Sequence, residues 1–453
     1  MNPGGVTGER PGKAGNPDDR GSGAGGSLSR RDLLVASIGA PVVFSLGVAG
    51  LAPAVRPGNG TKSPPVTVPP APQGPAPTGG VPNVPDPTGG VPTGGVPTVP
   101  PDGPSAGEIL GHRLGPAVGD GSTSLARPQP NQPPIVRLAP GETPPQFVVF
   151  SWDGSSALAP DSLARFRRVA RRTHAAMTFF LTGLYLVPEA QRRAYHAPGR
   201  APGASAISFM SASTVHRTIA EIGQAWVEGN EIGTHFNGHF CGAGGAATWS
   251  SRAWRKELGE VEKFVSTWRS ITGFDDLPPL PFTFDDIVGG RTPCLEGRRK
   301  LLPVINRLGW RYDSSGTRPA TWPRRDRYGI WNLSMHPVPF GRHRLILPMD
   351  YNFLVNQPGP DTRANRRRWR HQVEHSLLAG LQHSRRGNRA PLIIGNHFSP
   401  WRHGLYLDAV EASIERFAGF PDVRLVSFRQ LVDWLEAQDP DLLHAWQRRP
   451  ADY

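Results

Sequence analysis

Between residues 146 and 440 the chain alternates short, unbroken apolar runs with stretches in which apolar side chains recur every third or fourth position. QFVVFSW (146–152) and AAMTFFLTG (175–183) read as strands, and SLARFRRVARR between them has helical spacing. TVHRTIAEIGQAWVEG predicts a helix ending at Gly229, and NEIGTHF a short strand running into polar residues. The helical SSRAWRKELGEVEKFVSTWRSITG follows, then IVGGRTP, the helix KLLPVINRLG, the strand WRYDSS and the extended pieces GIWNLSM and HRLILPM. RRRWRHQVEHSLLAGLQ is helical, with Trp369, Val373, Leu377 and Leu378 on one side and the basic run NRRRWRH on a solvated face. PLIIGNHF, the helix DAVEASIERFAG and the strand VRLVSF complete the series. Such alternation predicts parallel strands with crossover helices, curled into a closed or nearly closed barrel whose strand C-termini share one face.

The 308 residues from 146 onward contrast with what precedes them. From Val55 to about Glu142 the chain is Pro, Gly, Val and Thr, with PTGGVP recurring at Pro77, Pro87 and Pro92. So few large apolar side chains cannot offset the entropy of ordering the backbone, so residues 55–145 are expected to be a disordered, partly polyproline-like linker. Residues 1–54 read as an address. SLSRRDLL, with Arg30 and Arg31, precedes an uncharged stretch from Leu33 to Val55, the pattern of a twin-arginine export signal, and Ala52-Pro53-Ala54 offers a cleavage site. Retained, the same stretch is a membrane anchor; cleaved, it leaves the rest of the chain with no membrane-inserted segment expected. The expected organisation is therefore signal (1–54), linker (55–145), folded domain (146–440) and C-terminal tail (441–453).

Export changes how the two cysteines and the charge are read. In an oxidising compartment Cys241 and Cys294 are expected to form a disulfide, metal ligation being the lesser alternative. A net charge of +13 points outside the cell to anionic envelope polymers and lipid headgroups as partners, and not to nucleic acid.

The polar residues that end successive strands are Asp153, His235 and His239, Arg291, Asp313 and His397. Two imidazoles four residues apart reach one ion if the segment turns helically after its strand. One carboxylate from a neighbouring strand end completes two nitrogen ligands and one oxygen ligand, with a position left open, the pattern of a catalytic zinc site.

EIGTHFNGHF, GGRTPC, YDSS and LIIGNHF, following FSWDG and AMTFFLTG in this order, resemble the polysaccharide deacetylase family, NodB-like and also called carbohydrate esterase family 4, over about residues 146 to 435. The resemblance implies an α/β fold, a distorted (β/α)7 barrel, and metal-dependent removal of N-acetyl groups from peptidoglycan, chitin-like or biofilm glycans. It makes Asp153, His235 and His239 the ligands of one divalent ion, zinc foremost. His397 becomes the general acid that protonates the leaving amine, Asp313 its orienting carboxylate, and Arg291 the neighbour of the catalytic carboxylate. The family's first motif carries two aspartates, base then ligand; here the doublet is Trp152-Asp153, so the base position holds a tryptophan. Asp285, Asp286, Glu296 and Asp350 are the loop carboxylates available to replace it. Two other functions fit the substitution. One is a catalytically impaired glycan-binding protein with Trp152 stacked on a sugar; the other is a metal hydrolase of a different amide or ester. Trp249, Trp254 and Trp401 read as sugar-stacking or core residues.

Overall fold

A computed structural model of the chain describes residues 135–450 apart from 159, 160 and 343, together with Gln132 and a short strand pair, Ala117–Val118 against Ser122–Thr123. The segment expected as an export signal and most of the one expected as a linker lie outside the described residues.

The predicted alternation is present as strand β1 (Gln146–Ser155), helix α1 (Ser162–Thr173), β2 (Thr178–Leu181), α2 (Ala212–Val227), β3 (Glu231–Thr234), α3 (Ser251–Thr272), β4 (Gly289–Gly290), α4 (Arg298–Arg307) and β5 (Tyr312–Asp313). Beyond β5 the pattern loosens into β6 (Arg324–Arg325), β7 (Trp331–Asn332), a hairpin of β8 (Val338–Phe340) with β9 (Arg344–Ile346), and α5 (Asp350–Val355). Then come α6 (Arg363–Arg386), β10 (Leu392–Asn396), α7 (Trp401–Ala418), β11 (Val423–Leu425), α8 (Phe428–Ala437) and α9 (Pro440–Gln447). Hydroxyl caps start four of the helices: Ser211, Ser250, Thr362 and Ser427 each accept from a backbone N–H three residues on. The segment expected as a tail begins inside α9, whose Trp446 is buried against Trp322 and Trp434.

One sheet runs in the order β10-β1-β2-β3-β4-β5-β7-β6, parallel from β10 to β7, with β6 antiparallel at the edge and β11 paired to the start of β1. It curls without closing into a complete ladder; on the free edge of β10 a single parallel bridge joins Met349 to Gly395. Extended side chains alternate between faces, and the apolar residues divide accordingly. Val148, Phe150 and Trp152 of β1, with Phe179, Leu181 and Ile394, pack under the helices. Phe147, Val149, Phe180 and Ile393 face inward with Tyr312, Met335, Met349 and Phe428.

This alternation settles where Trp152 points. Its side chain is fully buried against Phe166, Phe179 and Phe398, with ring centroids 4.7, 5.4 and 5.9 Å away. The expectation that Trp152 stacks on a sugar is therefore corrected, because its ring has no exposed face. Trp249 and Trp254 are likewise core. A carboxylate at 152 would enter an aromatic cluster. Trp152→Asp is expected to destabilise the fold by about 3–5 kcal/mol, the cost of deleting a large buried aromatic, with a further loss from burying an unpaired charge. Urea denaturation of the variant beside the wild type checks this.

Candidate metal centre

At the C-terminal end of β1 the pairing with β2 slips between Asp153 and Ser155, around Gly154, whose φ of 66° suits a residue without a Cβ. Asp153 faces the inside of the curl. Its Oδ1 accepts from Arg291 Nη1 at 2.7 Å in an ion pair in which both side chains are buried. Arg291 donates also to the carbonyl (3.3 Å) and hydroxyl (2.9 Å) of Ser314, and its guanidinium lies 4.9 Å from the Phe180 ring centroid. Gly395 makes room for it, since a Cβ there would come within 3.2 Å of Nη1.

The backbone of Arg291 organises the first histidine. His235 Nδ1 donates to the Arg291 carbonyl at 2.8 Å, which leaves the lone pair of Nε2 free for another partner. The His239 ring lies 5.2 Å from that of His235. The chain reaches it through left-handed backbone at Phe236 (φ 60°) and His239 (φ 53°), a conformation costing about 1–2 kcal/mol per non-glycine residue. Glu257 of α3 holds that turn. Its Oε1 accepts from the N–H groups of Asn237 (3.0 Å) and Gly238 (3.3 Å), while Oε2 accepts from the Tyr195 hydroxyl at 2.8 Å. Burial pushes the Glu257 carboxyl up to about 7, the donors from Tyr195, Asn237 and Gly238 offsetting only part of the shift.

A disulfide joins Cys241 to Cys294, bridging the loops that follow β3 and β4. His239 Nδ1 lies 3.8 Å from the Cys241 sulfur, and His239, Cys241 and Cys294 together are close enough to surround an ion. Bonded sulfurs carry no thiolate, so the cysteines are not ligands.

Asp153 and the three histidines are each shifted by their surroundings. Burial raises the Asp153 carboxyl, but Arg291 and the nearby His235 and His397 outweigh it, and the net shift is downward. Burial lowers His235, only partly opposed by Asp153. Burial, reinforced by the neighbouring imidazoles, takes His239 down to about 3. Burial also lowers His397, yet Asp350 more than reverses this and the net shift is upward. Asp350 holds His397 twice, its Oδ1 accepting from Nδ1 at 2.8 Å and its Oδ2 from the backbone N–H at 2.6 Å.

Asp153, His235, His239, Arg291 and His397 are thus brought together. Asp313 is not the partner of His397. It accepts from Arg298 Nε at 2.5 Å and from Ser315 Oγ at 2.6 Å, so the expectation for this residue is corrected in favour of Asp350. Of the other loop carboxylates, Asp286 caps its own turn through the Thr283 N–H at 2.9 Å, Asp285 is exposed, and Glu296 accepts from the Gly242 N–H at 2.7 Å. Trp401 is half-buried, its ring 5.6 Å from that of His397. Sequence reasoning missed Glu257. Its signal was a carboxylate at helical spacing within the apolar stripe Trp254, Leu258, Val261, Phe264.

No known family profile matches the sequence, and no curated protein does. Among solved structures, the chain is similar to a provisional polysaccharide deacetylase of Mycobacterium smegmatis, at 14% identity and a TM-score of 0.41, over 71% of this chain and 98% of that one. It is similar to the polysaccharide deacetylase Bc1974 of Bacillus cereus, at 10% identity and a TM-score of 0.32, over 62% and 92%. A mutant of a CE4 family pseudoenzyme matches at 12% identity and a TM-score of 0.34, over 66% and 72%. Likeness at this level says nothing of activity.

Breaking the disulfide frees both loops. Cys294→Ser with Cys241→Ser is expected to cost about 2–4 kcal/mol and to weaken zinc binding, because His239 loses its brace. Thermal melting and zinc titration against a competing chelator check both effects.

Proposed function

We propose that the protein is an exported, metal-dependent hydrolase that removes N-acetyl groups from a polysaccharide such as peptidoglycan, a chitin-like polymer or a biofilm glycan. The observation that carries this reading is one carboxylate at the end of β1 and two neutral imidazoles just after β3, facing a histidine whose other nitrogen is held by a buried carboxylate. The donor chemistry fits a divalent ion of the zinc type. The free Oδ2 of Asp153, Nε2 of His235 and a nitrogen of His239 would hold it. When bound, such an ion polarises an amide carbonyl and acidifies water.

The chain's own residues supply the rest. Arg291 keeps Asp153 ionised in a buried place, and its carbonyl fixes the tautomer of His235. His397 carries a proton on Nδ1 toward Asp350, so its Nε2–H is the group that can protonate a departing amine. Its side chain is 27% exposed, which leaves Nε2 within reach of a substrate.

The twin-arginine pattern, the Pro/Gly-rich linker and the disulfide support export. A second reading, hydrolysis of a more reactive amide or ester, is favoured by one observation. None of Asp285, Asp286 and Glu296 stands beside Asp153 as a second carboxylate, and a more reactive acyl group depends less on a general base.

Acetate release from N-acetylglucosamine oligomers and peptidoglycan by the full chain, zinc-loaded and metal-stripped, tests the proposal. Metal-dependent release is expected; folded, zinc-loaded protein that releases none overturns it. The pH profile carries a further expectation. Activity requires protonated His397 and so falls as pH rises through a value above the ordinary 6.5. Asp350→Asn removes the group that raises it, so kcat falls and the alkaline limb moves to lower pH.

A further inference from the structure

Beyond the disulfide, α3 and α4 begin side by side, with Ser251 Oγ donating to the Lys300 carbonyl at 2.8 Å. The positive end of a helix dipole favours acidic side chains, yet neither helix has one in its first turn. Basic side chains stand there instead, Arg255 of α3 coming just after its first turn. Arg252 and Arg255 of α3 and Arg299 and Lys300 of α4 are exposed, and among the described residues none forms an ion pair. The arginines of α1, by contrast, are neutralised within the fold. On α1, Arg165 pairs with Asp408 and Glu411, Arg167 with Glu221 and Glu228, Arg171 with Glu228, and Arg172 with Glu411 and Glu415.

The carboxylates that could quench the four cations are engaged elsewhere. Glu257 faces inward to Asn237, Gly238 and Tyr195. Glu296 holds the Gly242 N–H, and Asp313 holds Arg298. The basic rim also adjoins the candidate centre. Cys294 precedes Arg298 by four residues and is bonded to Cys241, whose sulfur touches His239.

Resting on the reading of the site given above, we propose that this rim docks a polyanion: the substrate is an acidic N-acetylated glycan, with carboxylate or phosphate groups that bind Arg252, Arg255, Arg299 and Lys300 while a neighbouring acetamido group enters the centre. Unpaired cations added to two helix N-termini oppose the stability of those helices. A bound polyanion relieves that repulsion. The interaction is exposed, so it depends on ionic strength.

The test is binding to metal-stripped full chain, which separates docking from turnover, using hyaluronan oligomers (carboxylate), phosphorylated chitin oligomers (phosphate) and neutral chitin oligomers of equal length. One or both acidic oligomers are expected to bind about tenfold tighter than the neutral one at low salt, from several exposed ion pairs acting together, and the preference is expected to vanish at high salt. Which acidic oligomer is preferred identifies the anionic group. Arg252→Glu with Arg299→Glu is expected to erase the preference, and acids at those turns suit the helix dipoles, so this variant should melt no lower than the wild type. Arg386→Glu with Arg424→Glu makes the same change in net charge near the start of β1, and is expected to keep the preference. Equal affinity for acidic and neutral oligomers, or equal losses from both double variants, overturns the inference. Acetate release from neutral oligomers without an anionic preference would sink this inference and leave the deacetylase reading standing; anionic preference without acetate release sinks the deacetylase reading, and with it the assignment of the bound polyanion as substrate.

Discussion

The buried ion pair between Arg291 and Asp153 is the interaction on which the rest of the site depends. A lone charge in either position carries a desolvation penalty of several kcal/mol, and the pair is retained because its hydrogen bonds are filled on the arginine side by Ser314 and on the aspartate side by the guanidinium. The same residue reaches the neighbouring strand end through its backbone, where its carbonyl receives His235. One arginine therefore sets both the charge of the carboxylate and the free nitrogen of the first imidazole. Its place inside the curled sheet depends in turn on Gly395, whose missing Cβ lets β10 approach.

Around this pair the remaining groups are fixed by carboxylates that do not themselves enter the centre. Glu257 fastens the turn between the histidines from behind, and Asp350 fastens His397 from the side. The disulfide closes the frame by linking the loop after His239 to the loop after Arg291. Left-handed backbone at Phe236 and His239 is tolerated because these contacts over-determine it. The cations on the rim are the counterpart: exposed and left without partners, they are available to something outside the chain.

Much of this was legible in the sequence because strand ends announce themselves. Apolar runs broken by Asp153, His235, Arg291 and His397 mark where each strand leaves the core, and a parallel curled sheet gathers such positions on one face. The alternation of β1 was equally legible in principle. Asp153 facing inward obliges Trp152 to face the helices, which a reading of motif letters alone overlooked. The partner of His397 was harder to see. Asp313 ends a strand and Asp350 starts a short helix after an irregular hairpin, so the choice between them depended on a connection whose path has no periodic signal. Glu257 was hidden for a different reason, since a carboxylate on a helix is ordinarily solvated and only the stripe around it shows that this one is buried.

The central claim is that Asp153, His235 and His239 form one site for a divalent ion. X-ray absorption spectroscopy of the zinc-loaded full chain tests it most directly. One zinc per chain with imidazole and oxygen scatterers is expected, lost in His235→Ala and in His239→Ala. Sulfur in the coordination shell, or zinc binding undiminished in both variants, would contradict it.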